Sequence, residues 1–144
     1  MEAANVAQYK DKEMSTLSGG QKQRVWIAMA LAQDTKMLLL DEPTTYLDIR
    51  YQIEILDLIR ELNRKFHLTV VMVLHDINQA ITYSDEVIGM KDGRVLFQGK
   101  PEEVITRESM YAIYGIEMEV EKIRGQRYVL ATAGRSITAE KKGD

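Results

Sequence analysis

The sequence predicts an α/β fold built on a parallel strand–helix–strand unit, and three observations carry that expectation. Met37 to Leu40 and Leu68 to Leu74 are short apolar runs, with the length and composition of strands buried on both faces. Between them, from Ile49 to Phe66, Ile55, Leu58, Ile59 and Leu62 recur at helical spacing, with Phe66 one turn beyond. Both apolar runs give way to ionisable residues at their carboxyl ends, Asp41-Glu42 on the first and His75 on the second. A strand, helix and strand at this spacing form a right-handed crossover with parallel strands. Open parallel sheets bind ligands at their carboxyl edge, so topology alone brings these three titratable side chains to one edge.

The chain has 144 residues, 45% of them hydrophobic, which is one domain or a piece of one with apolar material for a core. A net charge of -3 lacks the basic footprint of a nucleic-acid binder. With no cysteine, disulfide frameworks and thiolate metal sites are excluded. The longest apolar runs fall far short of a membrane span. Met1-Glu2-Ala3-Ala4 has neither the basic start nor the apolar core of a signal peptide. These features lead us to expect a soluble, intracellular protein.

In chain order, Met1 to Tyr9 reads as the end of a short helix and Lys10 to Thr16 as a polar loop. Ser18 and Gln21 have the S-x-x-Q spacing of a capping box, so a helix starts at Ser18. Its buried face is expected at Val25, Ala28, Met29 and Ala32, with Trp26 packed and Lys22 in solvent. Pro43 ends the first strand because it cannot donate to a ladder. His67 reads as a loop residue with its ring in solvent. Asp76 and Gln79 suggest the cap of a helix running to about Ser84. Glu86 to Met90 and Arg94 to Gln98 flank Lys91-Asp92-Gly93, a hairpin signal. Pro101 opens a short helix from its first position. Arg107 to Tyr114 forms another, ended by Gly115, and Glu117 to Lys122 pairs with Gln126 to Ala131 around Gly125. From Thr132 the sequence is polar and small, and a frayed tail is expected.

Gly19 and Gly20 leave the first-turn N–H groups of the first helix uncovered, and a bare helix N-terminus favours an anion. With its neighbours, this stretch is more specific. Leu17-Ser18-Gly19-Gly20-Gln21, then Met37 to Glu42, then Thr45-Tyr46-Leu47-Asp48, then His75 resemble four motifs of the ATP-binding-cassette (ABC) ATPases, in order and in register. They are similar to the signature motif, the Walker B strand with its catalytic Glu, the D-loop and the switch histidine. The resemblance runs from about Met14 to about Met118. It implies the parallel βαβ core of a P-loop NTPase-like ABC ATPase domain, truncated at the N-terminus, with a C-terminal β-hairpin and short helices. It divides the chain into residues 1–35, a remnant of the helical subdomain with the signature motif, 36–131, the C-terminal part of the ATPase core, and 132–144, a flexible tail.

Hydrolysing ATP needs a metal on the phosphates, a group to activate water, and donors for the charge of the transition state. The resemblance implies that Asp41 holds Mg2+, through water because that ion keeps much of its hydration shell. It implies Glu42 as general base and His75 as a donor to the γ-phosphate. Ser18, Gly19, Gly20 and Gln21 would close on ATP held by a second ATPase subunit. Asp48 would lie at that subunit interface while also capping the helix from Ile49. The implied partners are the second ATPase subunit, membrane permease subunits and, indirectly, a substrate-binding protein, with no nucleic acid. The implied location is cytoplasmic, peripheral on the inner face of the cell membrane. Trp26 to Ala30, His75 to Ala80 and Tyr111 to Ile116 are similar to importers of iron–siderophore complexes, haem or cobalamin.

The family grips phosphate with a Walker A loop, G-x-x-x-x-G-K-[ST], and no such segment stands in this sequence. Gly93 to Pro101 comes nearest and fails, with five residues between its glycines and Pro101 where a hydroxyl must bind magnesium. The chain is therefore expected to be the C-terminal part of an ATPase subunit, inactive alone, with a sheet edge or face left unpaired. Two alternatives stand beside this reading. One is a non-enzymatic half that only binds a partner subunit. The other is a DNA-repair or chromosome ATPase, which shares the signature motif and Walker B but adds heptad coils or DNA-binding surfaces that are not visible here.

Overall fold

The computed structural model describes residues 5–33 and 35–131, which fall into two compact units, Met1–His75 and Asp76–Asp144. The tail expected at 132–144 and the first four residues lie outside the described segments.

In the first unit, short 3-10 turns at Ala7–Tyr9 and Met14–Thr16 lead into α1 (Gly19–Leu31), β1 (Met37–Leu40), α2 (Ile49–Phe66) and β2 (Thr69–Met72). β1 and β2 are parallel, in register from Met37 opposite Thr69 to Leu40 opposite Met72, as a crossover through α2 requires. Asp48 caps α2 by accepting the N–H of Tyr51, and the helix ends at His67, which adopts a left-handed φ of 52° and is exposed. The core is Ile27 with Ile55, Leu58, Ile59 and Leu62, onto which Leu31, Leu40, Leu47 and Val70 pack. The predicted stripe of α2 is therefore the buried one.

Two expectations are corrected. α1 buries Gly20 and Ile27, with Leu31 packed on the core, instead of Val25, Ala28, Met29 and Ala32. Met29 is 53% exposed and Trp26, expected to pack, is 57% exposed. The cause is local. Val25 to Ala32 is an unbroken apolar run, so every face of the second half of α1 is apolar, and the close approach at Gly20 helps decide which one meets α2. A Cβ on Gly20 would lie 3.1 Å from the Tyr51 ring. The second correction concerns burial of the sheet. One face, carrying Leu38, Leu40 and Val70, packs inward, whereas Met37, Leu39, Val71 and Val73 on the other face are about half to two-thirds exposed.

The second unit consists of α3 (Ile77–Tyr83), β3 (Val87–Lys91), β4 (Arg94–Gly99), α4 (Pro101–Val104), α5 (Arg107–Tyr114), β5 (Glu119–Ile123) and β6 (Gln126–Leu130). β3–β4 and β5–β6 are antiparallel hairpins. Asp92 and Gly93 both have positive φ, the demand of a two-residue hairpin turn that matches strand twist. α3 is capped by Asp76, which accepts the N–H groups of Asn78 and Gln79. Ile81, Val87, Ile105, Met110 and Val129 form the core of this unit. Asn78 fastens β6 to α3 by a reciprocal pair: its Nδ2 donates to the Val129 carbonyl at 3.0 Å, and the Val129 N–H donates to Asn78 Oδ1 at 2.9 Å.

Candidate active site at the carboxyl ends of the parallel strands

β1 runs out at Leu40, and Asp41, Glu42 and Pro43 turn the chain back toward α2. β2 runs out at Met72, and His75 follows it on the same edge of the sheet. The parallel register thus brings the two strand ends side by side. His75 Nε2 lies 2.8 Å from Glu42 Oε1, and the other oxygen, Oε2, accepts the Thr45 hydroxyl at 3.0 Å. Both bonds hold the Glu42 carboxyl below its ordinary pKa, His75 more than Thr45, so the group is a carboxylate and the imidazole nitrogen is the donor. Glu42 and His75 remain accessible, with side chains 40% and 70% exposed, so a phosphate or water can reach them.

The loop that carries Glu42 is strained. Glu42 and Tyr46 have φ of 49° and 62°, a region that non-glycine residues occupy at a cost. Pro43 and Thr44, buried between them, anchor the loop, and the Gln52 side chain donates to the Leu47 carbonyl at 2.9 Å. Nothing in the residue types announced either left-handed position or the Thr45 contact.

Asp41 stands exposed beside Glu42. Among the described residues no cluster of three or more carboxylate, histidine or cysteine groups could enclose a metal. That donor set suits magnesium bound by one carboxylate, its own waters and a nucleotide's phosphates, and it does not suit an all-protein metal cage.

At the start of α1 the capping box is complete. The Gln21 N–H donates to Ser18 Oγ at 3.3 Å, and the Ser18 N–H donates to Gln21 Oε1 at 3.0 Å. Among the described residues, the N–H groups of Gly19 and Gly20 are the first-turn donors that no hydrogen bond takes up. Gly19 also lies against the loop before α2, where a Cβ would meet Leu47 Cδ2 at 3.3 Å. The glycines therefore serve packing as well as exposure of the backbone, which the sequence reading did not foresee. The structure brings Glu42 to His75, and it brings the Ser18–Gln21 turn to the loop that ends in Asp48. The nearest imitation of a phosphate loop is divided, with Gly93 in the β3–β4 turn and Gly99 at the far end of β4.

The ABC transporter family matches residues 1–45. The ferric enterobactin transport ATP-binding protein FepC of Escherichia coli is 49% identical over 116 residues, which cover 81% of this chain and 43% of FepC. The chain belongs to the ABC transporter ATPases. A metal-chelate type ABC transporter in an inward-facing conformation shares the fold at a TM-score of 0.81 and 27% identity, over 90% of this chain and 53% of that one. The dimeric bacterial ABC transporter cassette MJ0796 aligns at a TM-score of 0.57 and 39% identity, over 69% of this chain and 44% of that one. The expected α/β class with a parallel core thus stands. The chain spans less than half the length of the curated relatives it matches. ABC ATPases bind and hydrolyse ATP, and their cassettes include dimers. Among the described residues no helix is long and apolar enough to cross a membrane.

Proposed function

We propose that this chain supplies the signature and catalytic-carboxylate portion of the ATP-hydrolysing subunit of an ABC importer for iron–siderophore complexes. The observation that carries the proposal is the Glu42–His75 pair, 2.8 Å apart at the carboxyl ends of adjacent parallel strands. In this reading Glu42 accepts the proton of the attacking water. His75 releases Glu42 to donate to the γ-phosphate, and Asp41 would be the residue that holds Mg2+, through water. Magnesium would supply charge neutralisation at the nucleotide's phosphates. Ser18, Gly19, Gly20 and Gln21 close on ATP held by a second ATPase subunit, with the uncommitted N–H groups and the positive end of α1 facing the γ-phosphate. Asp48 joins them at the subunit interface in addition to capping α2. We place residues 1–35 in the helical subdomain and 36–131 in the ATPase core. The partners of the whole subunit are a second copy or a paralogue, two permease chains and, through them, a substrate-binding protein, at the cytoplasmic face of the membrane.

The names of relatives such as FepC support the siderophore class, although no residue here contacts the cargo in this scheme. The test is transport. A fusion of the amino-terminal part of FepC to this chain should restore growth of Escherichia coli lacking FepC on ferric enterobactin as sole iron source, and its Glu42→Gln form should not. A fusion that hydrolyses ATP yet never restores growth would count against the siderophore importer while leaving the ATPase assignment intact.

A further inference from the structure

We propose that Thr45 is the positioning residue of this site, its hydroxyl and its backbone N–H together holding Glu42 in the orientation from which the carboxylate works on water. The inference rests on the reading of Glu42 as the base. Thr45 donates to Glu42 twice: its N–H to the Glu42 carbonyl at 3.2 Å and its Oγ1 to Oε2 at 3.0 Å. The first bond closes the turn, and the second fixes the side chain within it. A clamp is needed because Glu42 sits at a φ of 49°, where a residue with a Cβ gains by relaxing unless its surroundings prevent it. Thr45 is itself held, since buried Pro43 and Thr44 precede it and the Leu47 N–H donates to the Thr44 carbonyl at 3.4 Å.

Competition for His75 gives the second reason. The Nε2–H of His75 is committed to Glu42 Oε1 at 2.8 Å. To serve a phosphate with that N–H, His75 must let Oε1 go. Thr45 is then the remaining side-chain donor to Glu42 among the described residues. It keeps Oε2 occupied, so the oxygen that His75 vacates is the one presented to water. One clamp persists while the other is exchanged for substrate.

The test reads the Glu42 side chain in the 144-residue chain by nuclear magnetic resonance, using three-bond couplings about its χ1 and χ2 angles. The Gln21 and Tyr51 amides, both cap donors, report that the fold is intact. Thr45→Val removes the hydroxyl and keeps the branched shape, whereas Thr45→Ser keeps the hydroxyl. The expected result is one Glu42 rotamer in the unsubstituted chain and in Thr45→Ser, and averaged couplings in Thr45→Val with both cap amides unmoved. A rotamer that stays fixed in Thr45→Val, or couplings already averaged in the unsubstituted chain or in Thr45→Ser, would overturn the proposal. If Thr45→Val disturbs the caps, Thr45→Ala is read by the same criterion. This readout does not depend on turnover. Full hydrolysis by a Glu42→Gln fusion would remove the base assignment and leave the clamp standing.

Discussion

Glu42 and Glu54 are both carboxylates held below their ordinary pKa, but for different purposes. Glu42 meets an imidazole and a hydroxyl at a strand end, partners that a substrate can displace. Glu54, on α2, meets Arg50 Nε one turn back on the same helix at 3.0 Å and Arg24 Nη2 of α1 at 3.1 Å, with Arg50 the larger cause of its lowered pKa. A carboxyl group with a depressed folded-state pKa stabilises the fold above its unfolded pKa, and that contribution is lost as pH falls through the lowered value. Glu54→Gln should therefore lower the melting temperature at neutral pH, and the difference from the unsubstituted chain should vanish as pH drops through the acid range. A difference that persists undiminished at low pH would show that Glu54 acts through packing. At this scale the sequence made Glu42 and His75 legible, because strand periodicity and crossover topology determine which residues end up adjacent. It did not make Thr45 or the left-handed φ values legible. Those depend on how the loop is pinned by Pro43, Thr44 and Gln52, which residue type alone does not encode.

Between elements, the decisive contact is α1 on α2. The stripe of α2 could be read directly because isoleucine and leucine stand at regular spacing against a polar remainder. α1 could not, since the continuous apolar run from Val25 to Ala32 marks no single face and the choice falls to the close fit of Gly20 on Tyr51. The two faces make opposite predictions for stability. Ile27→Ala should cost about 2–5 kcal/mol, the range for truncating a buried isoleucine. Met29→Ala should stay within about 0.5 kcal/mol, as for a surface substitution. Urea denaturation of both variants measures this directly, and a larger loss at Met29 would return the buried face to the one first expected. The caps at Ser18, Asp48 and Asp76 were readable for the opposite reason, since each is a short-range bond between a side chain and the backbone of the next turn.

For the molecule as a whole, the uncovered face of the parallel sheet matters most. Met37, Leu39, Val71 and Val73 stand on it about half to two-thirds exposed, and apolar residues grouped in this way mark a surface that associates. A sheet edge or face left unpaired was expected from the absent phosphate loop, but which face is bare was not legible, because an apolar run reads the same whether its second face is covered or open. A double substitution, Leu39→Lys with Val71→Lys, should shift the chain toward monomer in sedimentation velocity. Sedimentation unchanged by the two charges would assign any self-association to another surface.

The proposal on which the others depend is that Glu42, set by the strand-end geometry, serves as the base of ATP hydrolysis, in a chain with no G-x-x-x-x-G-K-[ST] segment. The most direct test is the rate of Mg-ATP hydrolysis by the FepC fusion, its Glu42→Gln form and this chain by itself. We expect turnover by the fusion, a loss of about 10²–10⁴-fold in Glu42→Gln as for removal of a general base, and none from the chain alone. Equal rates in the fusion and its Glu42→Gln form would contradict it, as would turnover by the isolated chain that Glu42→Gln abolishes.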